Sequence, residues 1–267
     1  MLHPGYTQAM DALTALRLQL EWGADEALAE APVDRLSGRP AATPARPVAV
    51  AAPALPVLSG PATPVARAQQ LAAAANTREE LRAAVAAFDG CPLKATATNL
   101  VFSDGNPDAG LMLVGEGPGA EEDRAGLPFV GPSGQFLDRM LASIGLDRTK
   151  YLITNLIPWR PPGNRNPTDN EVLVCLPFLL RHIALVRPRR LVLLGALATR
   201  GITGTNTGIT RMRGRWIEVP IAGLDRPVPA LPMLHPAYLL RTPGAKRDAW
   251  ADLLLLRRTL DADVNES

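Results

Sequence analysis

A short apolar run followed at once by a glycine-rich turn constrains the fold of this chain more than any other stretch. Residues 111–114 read Leu-Met-Leu-Val and predict a buried strand. Residues 115–119 read Gly-Glu-Gly-Pro-Gly and must turn sharply, because glycine adopts backbone conformations that other residues resist. The turn would expose backbone N–H groups at the carboxyl end of a strand, where they can bind phosphate oxygens or a polar ligand. A tight turn without a ligand is an equally good interpretation, because a short glycine pattern is not specific.

The composition of the chain excludes several classes of protein. Its 267 residues are 47% hydrophobic, enough for one large domain or two small ones with a sizeable core. Two distant cysteines argue against a disulfide framework and suit a reducing compartment. No apolar run approaches the roughly 20 residues that span a bilayer, and no signal-peptide pattern opens the sequence. We therefore expect a cytoplasmic protein with no membrane partner, whereas the net charge of +2 identifies no partner by itself.

The chain divides into three parts by composition. Residues 1–35 contain a predicted helix over 9–31 and form an N-terminal helical appendage. Residues 36–66 are rich in alanine and proline, and proline at that density interrupts both helices and sheet ladders, so we expect a disordered linker. The compact domain is predicted over 67–267. The appendage could dock onto a protein partner, although an extension without function is the favoured interpretation.

Strands and helices alternate along the predicted domain. Apolar strands are predicted over 111–115, 151–155, 190–194 and 232–235, with a further strand over 215–219. Short apolar strands separated by amphipathic helices predict a parallel sheet that helices cover on both faces. The expected fold is therefore a three-layer α/β/α sandwich around a central four-stranded, mainly parallel sheet. In such sheets the functional crevice lies at the carboxyl ends of the strands.

Three polar residues stand at or just past the predicted strand ends: Glu116, Asn155 and His235. Because parallel strands end at one edge of the sheet, we expect these side chains to converge. An asparagine amide there can read the edge of a base, and a histidine can donate a hydrogen bond or stabilise negative charge. A turn-capping asparagine and a structural histidine are the alternatives for each residue alone. Metal binding by a histidine cluster is not expected, because the chain has only three histidines without ligand spacing.

Other side chains near this edge suggest a flat ligand on a nucleic-acid backbone. Phe129 lies in a glycine-flanked loop and could stack on a base, or simply pack in the core. Leu239 and Leu240 could wedge into a base stack, or begin a core helix. Arginines that could neutralise phosphates, or form a solvated basic rim, are Arg160, Arg165, Arg211, Arg213, Arg215 and Arg241.

Taken together, these segments resemble the uracil-DNA glycosylase superfamily, and within it the family 4 enzymes of bacteria and archaea. The resemblance extends from about residue 91 to about residue 260 and keeps the family's order and spacing. Each segment is weak evidence alone, and the set is specific. The matching segments are 115–119, 126–131, 154–155, 160–167 and 235–240.

The resemblance implies that the chain hydrolyses the N-glycosidic bond of a uracil flipped out of DNA and leaves an abasic site. Glu116 would assist or position the attacking water, and His235 would stabilise the charge that grows on the departing uracil. Asn155 would read the pyrimidine edge and so exclude cytosine. Phe129 would stack on the flipped base, and Gly117 would shape its pocket.

Contacts with DNA are also implied by the resemblance. Leu239 would fill the gap that the flipped base leaves in the duplex, with Leu240 as its substitute. Ser133 would touch a phosphate. The full set of expected DNA contacts is Pro118, Gly119, Ser133, Arg165, Arg213, Leu239, Leu240 and Arg241.

The chain departs from the family 4 pattern at its cofactor. Those enzymes hold a 4Fe-4S cluster with four cysteines, and here only Cys91 and Cys175 occupy such positions. Phe88 and Trp159 stand at the other two. Two thiolates cannot hold a cluster that needs four cysteines, so we predict that no cofactor is bound and that Phe88 and Trp159 fill the space by apolar packing.

Two further departures concern the reaction. Gly117 stands where some other branches of the superfamily carry an aspartate base, so water activation falls to Glu116 or is weak. The loop over 160–167 lacks the basic insertion of the branch that bonds covalently to its substrate, which predicts no covalent trapping.

Three functional hypotheses remain open. A monofunctional glycosylase that acts as a monomer on uracil-containing DNA is favoured by the retained Glu116, Asn155 and His235. A noncatalytic DNA-binding relative is the alternative, because two cluster cysteines are absent. An adaptor that recruits partners through its N-terminal helix has only the linker in its favour.

Overall fold

The computed structural model of the protein describes residues 63–265, so the predictions for the appendage and for most of the linker lie outside the described residues. The first described helix, α1 (Pro64–Ala74), begins three residues before the predicted start of the domain. Pro64 occupies its first turn, where the missing N–H costs nothing, and the Thr63 side chain accepts a hydrogen bond from the Ala66 N–H at 3.2 Å. The linker's last residues therefore belong to the folded unit.

The sheet contains six strands in the order β1-β3-β2-β4-β6-β5. The four central strands, β3, β2, β4 and β6, run parallel, which confirms the predicted three-layer fold and its central sheet. Antiparallel strands close both edges. The strands are β1 (Ser103–Gly105), β2 (Leu111–Gly115), β3 (Leu152–Asn155), β4 (Arg190–Leu194), β5 (Ile217–Val219) and β6 (Val228–Met233).

Two strands differ from their predicted positions. The fourth parallel strand was expected over 232–235 and is β6, which begins at Val228 and ends at Met233. Pro229 and Pro232 interrupt its apolar pattern and hide its beginning. Strand β1 was not predicted, because its three residues carry no apolar alternation.

Helices cover both faces of the sheet. Met112 and Val114 of β2 belong to one apolar core, while Leu111 and Leu113 belong to another on the opposite face, as the alternation of side chains along a strand requires. Among residues 63–265, no helix has the length and apolarity to cross a membrane. The remaining helices are α2 (Arg78–Ala87), α3 (Ala120–Ala125), α4 (Pro132–Ala142), α5 (Asp169–Val186), α6 (Ala196–Thr203), α7 (Ile209–Met212), α8 (Pro236–Arg241) and α9 (Lys246–Asn265).

Helices α2 and α5 each begin with a side-chain cap. Thr77 caps α2, and Thr168 caps α5 in a capping box with Glu171. Helix α4 begins at Pro132 with Gly131 at the capping position, so Ser133 lies inside the helix and does not cap it. Trp250 of α9 is 44% exposed and lies outside the core.

Candidate active site

A cavity of about 570 Å³ opens at the carboxyl ends of the parallel strands. Strand β2 lies between β3 and β4, so the chain leaves β2 toward one neighbour and later returns to the other. Such a reversal of strand order is where α/β sheets form their ligand crevice. Glu116, Asn155 and His235 all line this cavity, so the structure brings the three strand-end residues together.

The Asn155 side chain is buried without a hydrogen-bond partner. It is the last residue of β3, is only 5% exposed and lines the cavity. Within the described part of the chain, neither its amide nitrogen nor its amide oxygen has a partner. A buried polar group left in this state costs about 1–3 kcal/mol, so the amide is poised for a ligand that offers both an acceptor and a donor.

His235 occupies the N-cap position of α8. Its Nδ1 accepts a hydrogen bond from the Ala237 N–H at 3.2 Å, which leaves Nε2 as the N–H donor of a neutral ring. Burial, aided by the nearby charge of Arg241, lowers the pKa of His235 to about 4. The imidazole is therefore neutral at physiological pH and can donate to a ligand without carrying charge itself.

Glu116 and His235 lie on either side of Gly195, a glycine to which the sequence analysis gave no role. Burial raises the pKa of Glu116, while the Leu197 N–H at 3.4 Å and the charge of Arg241 oppose that shift. Gly195 directly follows β4 with φ +99°, and a Cβ there would overlap the Glu116 carboxylate and lie 3.1 Å from the His235 Cβ. In the sequence, a glycine directly after a buried strand could have indicated that other side chains approach the backbone closely at this point.

The Phe129 ring faces His235, with the two ring centroids 5.9 Å apart. Phe129 has a φ of +56°, which a bulky residue adopts only when its surroundings impose it. Arg148 holds this loop, since its Nη2 donates to the Phe129 carbonyl at 2.6 Å and its Nη1 donates to the Pro128 carbonyl at 3.2 Å. A Cβ at Gly134 would overlap the same carbonyl. Nothing in the sequence near Phe129 signals the contribution of Arg148.

Most of the residues expected to contact DNA lie on or beside the cavity. Arg165 is exposed, and its guanidinium is held by two bonds to the Glu171 carboxylate, at 2.7 and 2.9 Å. Gly119 lines the cavity, but its N–H donates to Glu122 at 3.0 Å and is not free to bind a phosphate. The expected residues that line the cavity are Gly117, Pro118, Gly119, Ser133, Arg165 and Arg241.

Three of the residues predicted to contact DNA do not line the cavity, namely Leu239, Leu240 and Arg213. Leu239 is 0% exposed and packs with Leu234 and Ala249, because the first turns of α8 direct it into the domain. Leu240 is 43% exposed, so of the two leucines it is the one at the surface. Arg213 is bound to the buried carboxylate of Asp252 at 2.6 and 2.9 Å, so this guanidinium anchors α9 and does not face a phosphate.

The four positions that the resemblance aligns with cluster cysteines all lie inside one apolar core; they are Phe88, Cys91, Trp159 and Cys175. The sulfur atoms of Cys91 and Cys175 are 3.9 Å apart, and both residues are buried. Phe88 is fully buried and meets Phe178 edge to face at 5.2 Å, and Trp159 is also buried in this core. Residues 63–265 contain no group of three or more side chains suited to a metal ion. Two thiols among aromatic rings do not fit a 4Fe-4S cluster.

Comparison with known proteins gives one consistent result. The family model described as the uracil DNA glycosylase superfamily matches residues 102–254. A type-4 uracil-DNA glycosylase of Pyrobaculum aerophilum is 37% identical over 171 residues, which cover 62% of this chain and 86% of that protein. The type-4 enzyme of Thermotoga maritima is 41% identical over 170 residues, with the same coverage of 62% and 86%. The type-4 enzyme of Archaeoglobus fulgidus is 40% identical over 166 residues, covering 61% and 82%.

Proposed function

This chain belongs to the uracil-DNA glycosylase superfamily, and on that premise we propose that it is a monofunctional DNA repair glycosylase that hydrolyses the N-glycosidic bond of uracil in DNA. The product is an abasic site. The observation that carries this conclusion is the unpartnered amide of Asn155, buried in a cavity that also holds Phe129 and His235. Together these groups offer a pyrimidine its edge contacts, a stacking surface and a hydrogen-bond donor.

Recognition of the base rests on the Asn155 amide. Uracil presents an N–H donor at N3 beside a carbonyl acceptor at O4, and an amide offers the matching acceptor and donor. Cytosine presents an acceptor at N3 and an amino group at the next position, so an amide held in the orientation that matches uracil would meet both in the wrong sense. A site built to satisfy a buried polar group rejects ligands that leave it unpaired.

Departure of the base rests on His235. When the glycosidic bond breaks, both bonding electrons remain with uracil, which leaves as an anion. The neutral imidazole can donate its Nε2–H to that anion, because Nδ1 is already engaged by the Ala237 N–H. A fixed donor aimed at developing charge in a site that excludes water is worth about 3 kcal/mol or more.

We assign to Glu116 the positioning of the water that completes hydrolysis. Its carboxylate lines the cavity beside Gly195 and accepts from the Leu197 N–H, which fixes its orientation. The carboxylate orients the water and accepts one of its protons as the water oxygen bonds to the sugar carbon that uracil has left. Gly117 supplies no carboxylate, and Glu122, which also lines the cavity, is engaged by the Gly119 and Gly131 N–H groups, which supports the choice of Glu116 for this step.

Access to the base requires that uracil leave the stack, which costs a few kcal/mol. Leu240 is an exposed apolar residue of α8, two residues after Tyr238, which is also exposed and lines the cavity. We assign to Leu240 the role of filling the vacated space. Arg241 and Arg165 lie on the same rim, where the remaining N–H groups of their guanidinium ions can contact phosphates.

Catalysis without a four-iron cluster is part of this proposal. It is supported by the chain's two cysteines and by the aromatic packing of Phe88 and Trp159. Purified protein should be colourless and contain far less than one iron per chain. About four irons per chain with the visible absorption of such a cluster would contradict this part of the proposal.

The activity is tested with a single-stranded oligonucleotide that carries one uracil, followed by alkaline cleavage of abasic sites. The protein should convert the oligonucleotide, and His235→Ala should slow conversion by about 10²- to 10³-fold. Leu173→Ala, on an exposed side chain of α5 that does not line the cavity, is the matched control and should retain the full rate. Tight binding of the oligonucleotide without abasic product would overturn the proposal.

A further inference from the structure

A single carboxylate joins the two glycine-rich loops that form the walls of the cavity. Glu122 lies in α3 and is only 7% exposed. Its Oε2 accepts the Gly119 N–H at 3.0 Å, and its Oε1 accepts the Gly131 N–H at 2.7 Å. The first loop, 115–119, carries Glu116, and the second loop, 126–131, carries Phe129.

The bond to Gly131 distinguishes Glu122 from an ordinary capping residue. Glu122 is the third residue of α3, and its bond to Gly119 is the usual reach of such a glutamate back to its own N-cap. Gly131, however, is the N-cap of α4, nine residues further along the chain. One carboxylate therefore caps two helices and sets the spacing between their first turns.

Both partners of the carboxylate are glycines, which lets it approach their backbone closely. A Cβ on Gly119 would lie 2.8 Å from Oε2, and a Cβ on Gly131 would lie 3.0 Å from Oε1. A side chain at Gly119 would force the carboxylate to shift, and one at Gly131 would require it to give by a few tenths of an ångström. The glycines of the two loops thus serve the approach of Glu122, which neither loop signals by itself.

We propose that Glu122 is a positioning residue that holds the stacking ring of Phe129 in register with Glu116 and the base pocket. The role rests on the proposed glycosylase function, since it concerns the same cavity. Phe129 is two residues before Gly131 and has a left-handed backbone, so its ring depends on where Gly131 is anchored. Glu116 is three residues before Gly119, so the second bond anchors the loop of the water-positioning carboxylate.

The substitution Glu122→Gln tests this arrangement with almost no change of shape. A carboxylate offers an acceptor oxygen to each loop, whereas a carboxamide offers one oxygen and one NH₂ group. In the variant the NH₂ group would face a backbone N–H donor, so one of the two loops must lose its anchor. A misplacement of about 1 Å in a catalytic site can cost about 100-fold in rate, so we expect uracil excision to slow by about 10- to 100-fold.

The matched control is Glu80→Gln. Glu80 is also the third residue of a helix, α2, and its Oε2 accepts the Asn76 N–H at 2.7 Å, but it is exposed and does not line the cavity. Single-turnover excision is measured well below the unfolding temperature of each variant. Glu80→Gln should keep the full rate, and Glu122→Gln should be slow while its circular dichroism remains that of a folded protein.

Two further readouts separate positioning from general stability. Backbone amide exchange followed by NMR should accelerate at Gly119 or Gly131 in Glu122→Gln more than at other loop amides. In a double-mutant cycle, Phe129→Leu and Glu122→Gln should be strongly non-additive, because both act on the same stacking ring. Additive effects, or a rate loss that merely follows the unfolded fraction, would overturn the proposal.

Binding of free uracil separates this inference from the proposed function. An inactive wild-type protein would refute the glycosylase proposal, but a titration with uracil still reports on the pocket. Glu122→Gln should bind uracil at least about tenfold more weakly than wild type, as expected from losing one charge-assisted hydrogen bond at the pocket wall. Equal affinities, with wild-type excision or without it, would show that Glu122 does not position the site.

Discussion

Gly115 and Asn155 are paired across the last position of β2 and β3, and the absence of a side chain on Gly115 makes room for the Asn155 amide. A Cβ on Gly115 would lie 2.5 Å from the Asn155 Oδ1 and would also overlap the Phe129 ring. The strand-end glycine thus sets the relative placement of the edge-reading amide and the stacking surface. Its main contribution is space, and the conformational freedom of glycine is secondary at this position.

Gly115→Ala should therefore disable the pocket. The added methyl group must displace Asn155, Phe129 or the strand itself, so we expect uracil excision to fall by more than about 100-fold and stability to fall by about 1–3 kcal/mol. Gly244→Ala is the control, because a Cβ at Gly244 would meet no heavy atom within 4 Å. Single-turnover excision and urea unfolding measure the two effects. A Gly115→Ala protein with wild-type excision would show that the amide and the ring do not depend on this space.

The pH dependence of excision should report on Glu116. Burial raises the pKa of this carboxyl group, so the carboxylate that orients the water is lost at a higher pH than for an exposed glutamate. The rate should therefore rise with pH through an acidic limb whose midpoint lies above the ordinary glutamate range. His235, with a pKa of about 4, titrates below that limb.

Glu116→Gln isolates the contribution of this group to the profile. The amide cannot ionise, so the variant should be slower by about 10²-fold or more and should lack the acidic limb. Excision rates between pH 4.5 and 8 on the single-uracil oligonucleotide provide the measurement. Persistence of the same limb in the variant would assign it to another group.

The neighbouring leucines of α8 should respond to substitution in opposite ways. Leu239→Ala removes a fully buried side chain and should cost about 2–5 kcal/mol of unfolding free energy. Leu240→Ala removes an exposed side chain and should change stability by less than about 0.5 kcal/mol. Leu240→Ala should, however, slow excision from duplex DNA more than from single strands, because only in a duplex does the flipped base leave a gap to fill. Equal losses on both substrates would contradict the assigned wedge.

The residues of the site that follow the carboxyl ends of parallel strands could be predicted from the sequence. Glu116, Asn155 and His235 follow three apolar strands, and parallel strands must end at one edge, so their meeting required no knowledge of side-chain packing. The burial of Phe88 and Trp159 was also predicted, because the resemblance places these aromatic residues where related enzymes carry buried cysteines, and both lie in the apolar core.

The part that depends on partners distant in sequence could not be predicted. Arg213 binds Asp252, which lies 39 residues later, and Arg148 binds the carbonyl of Phe129, which lies 19 residues earlier. No local pattern marks such pairs. The orientation of Leu239 depends on the first turn of α8, and a shift of one residue exchanges the buried leucine for the exposed one.

The most direct test of the central claim is the base specificity of Asn155→Asp. A carboxylate can accept a hydrogen bond from the exocyclic amino group of cytosine. The amide of Asn155, in the orientation that matches uracil, directs its own NH₂ group at that amino group, and two donors form no hydrogen bond. Asn170→Asp, at an exposed position in the first turn of α5, serves as the control for the change in charge.

Single-stranded oligonucleotides that contain either one uracil or one cytosine are incubated with each protein and cleaved with alkali. The wild type and Asn170→Asp should release uracil alone, and Asn155→Asp should yield abasic product from the cytosine substrate. If Asn155→Asp keeps the wild-type preference for uracil at the wild-type rate, the Asn155 amide does not read the base and the account is wrong.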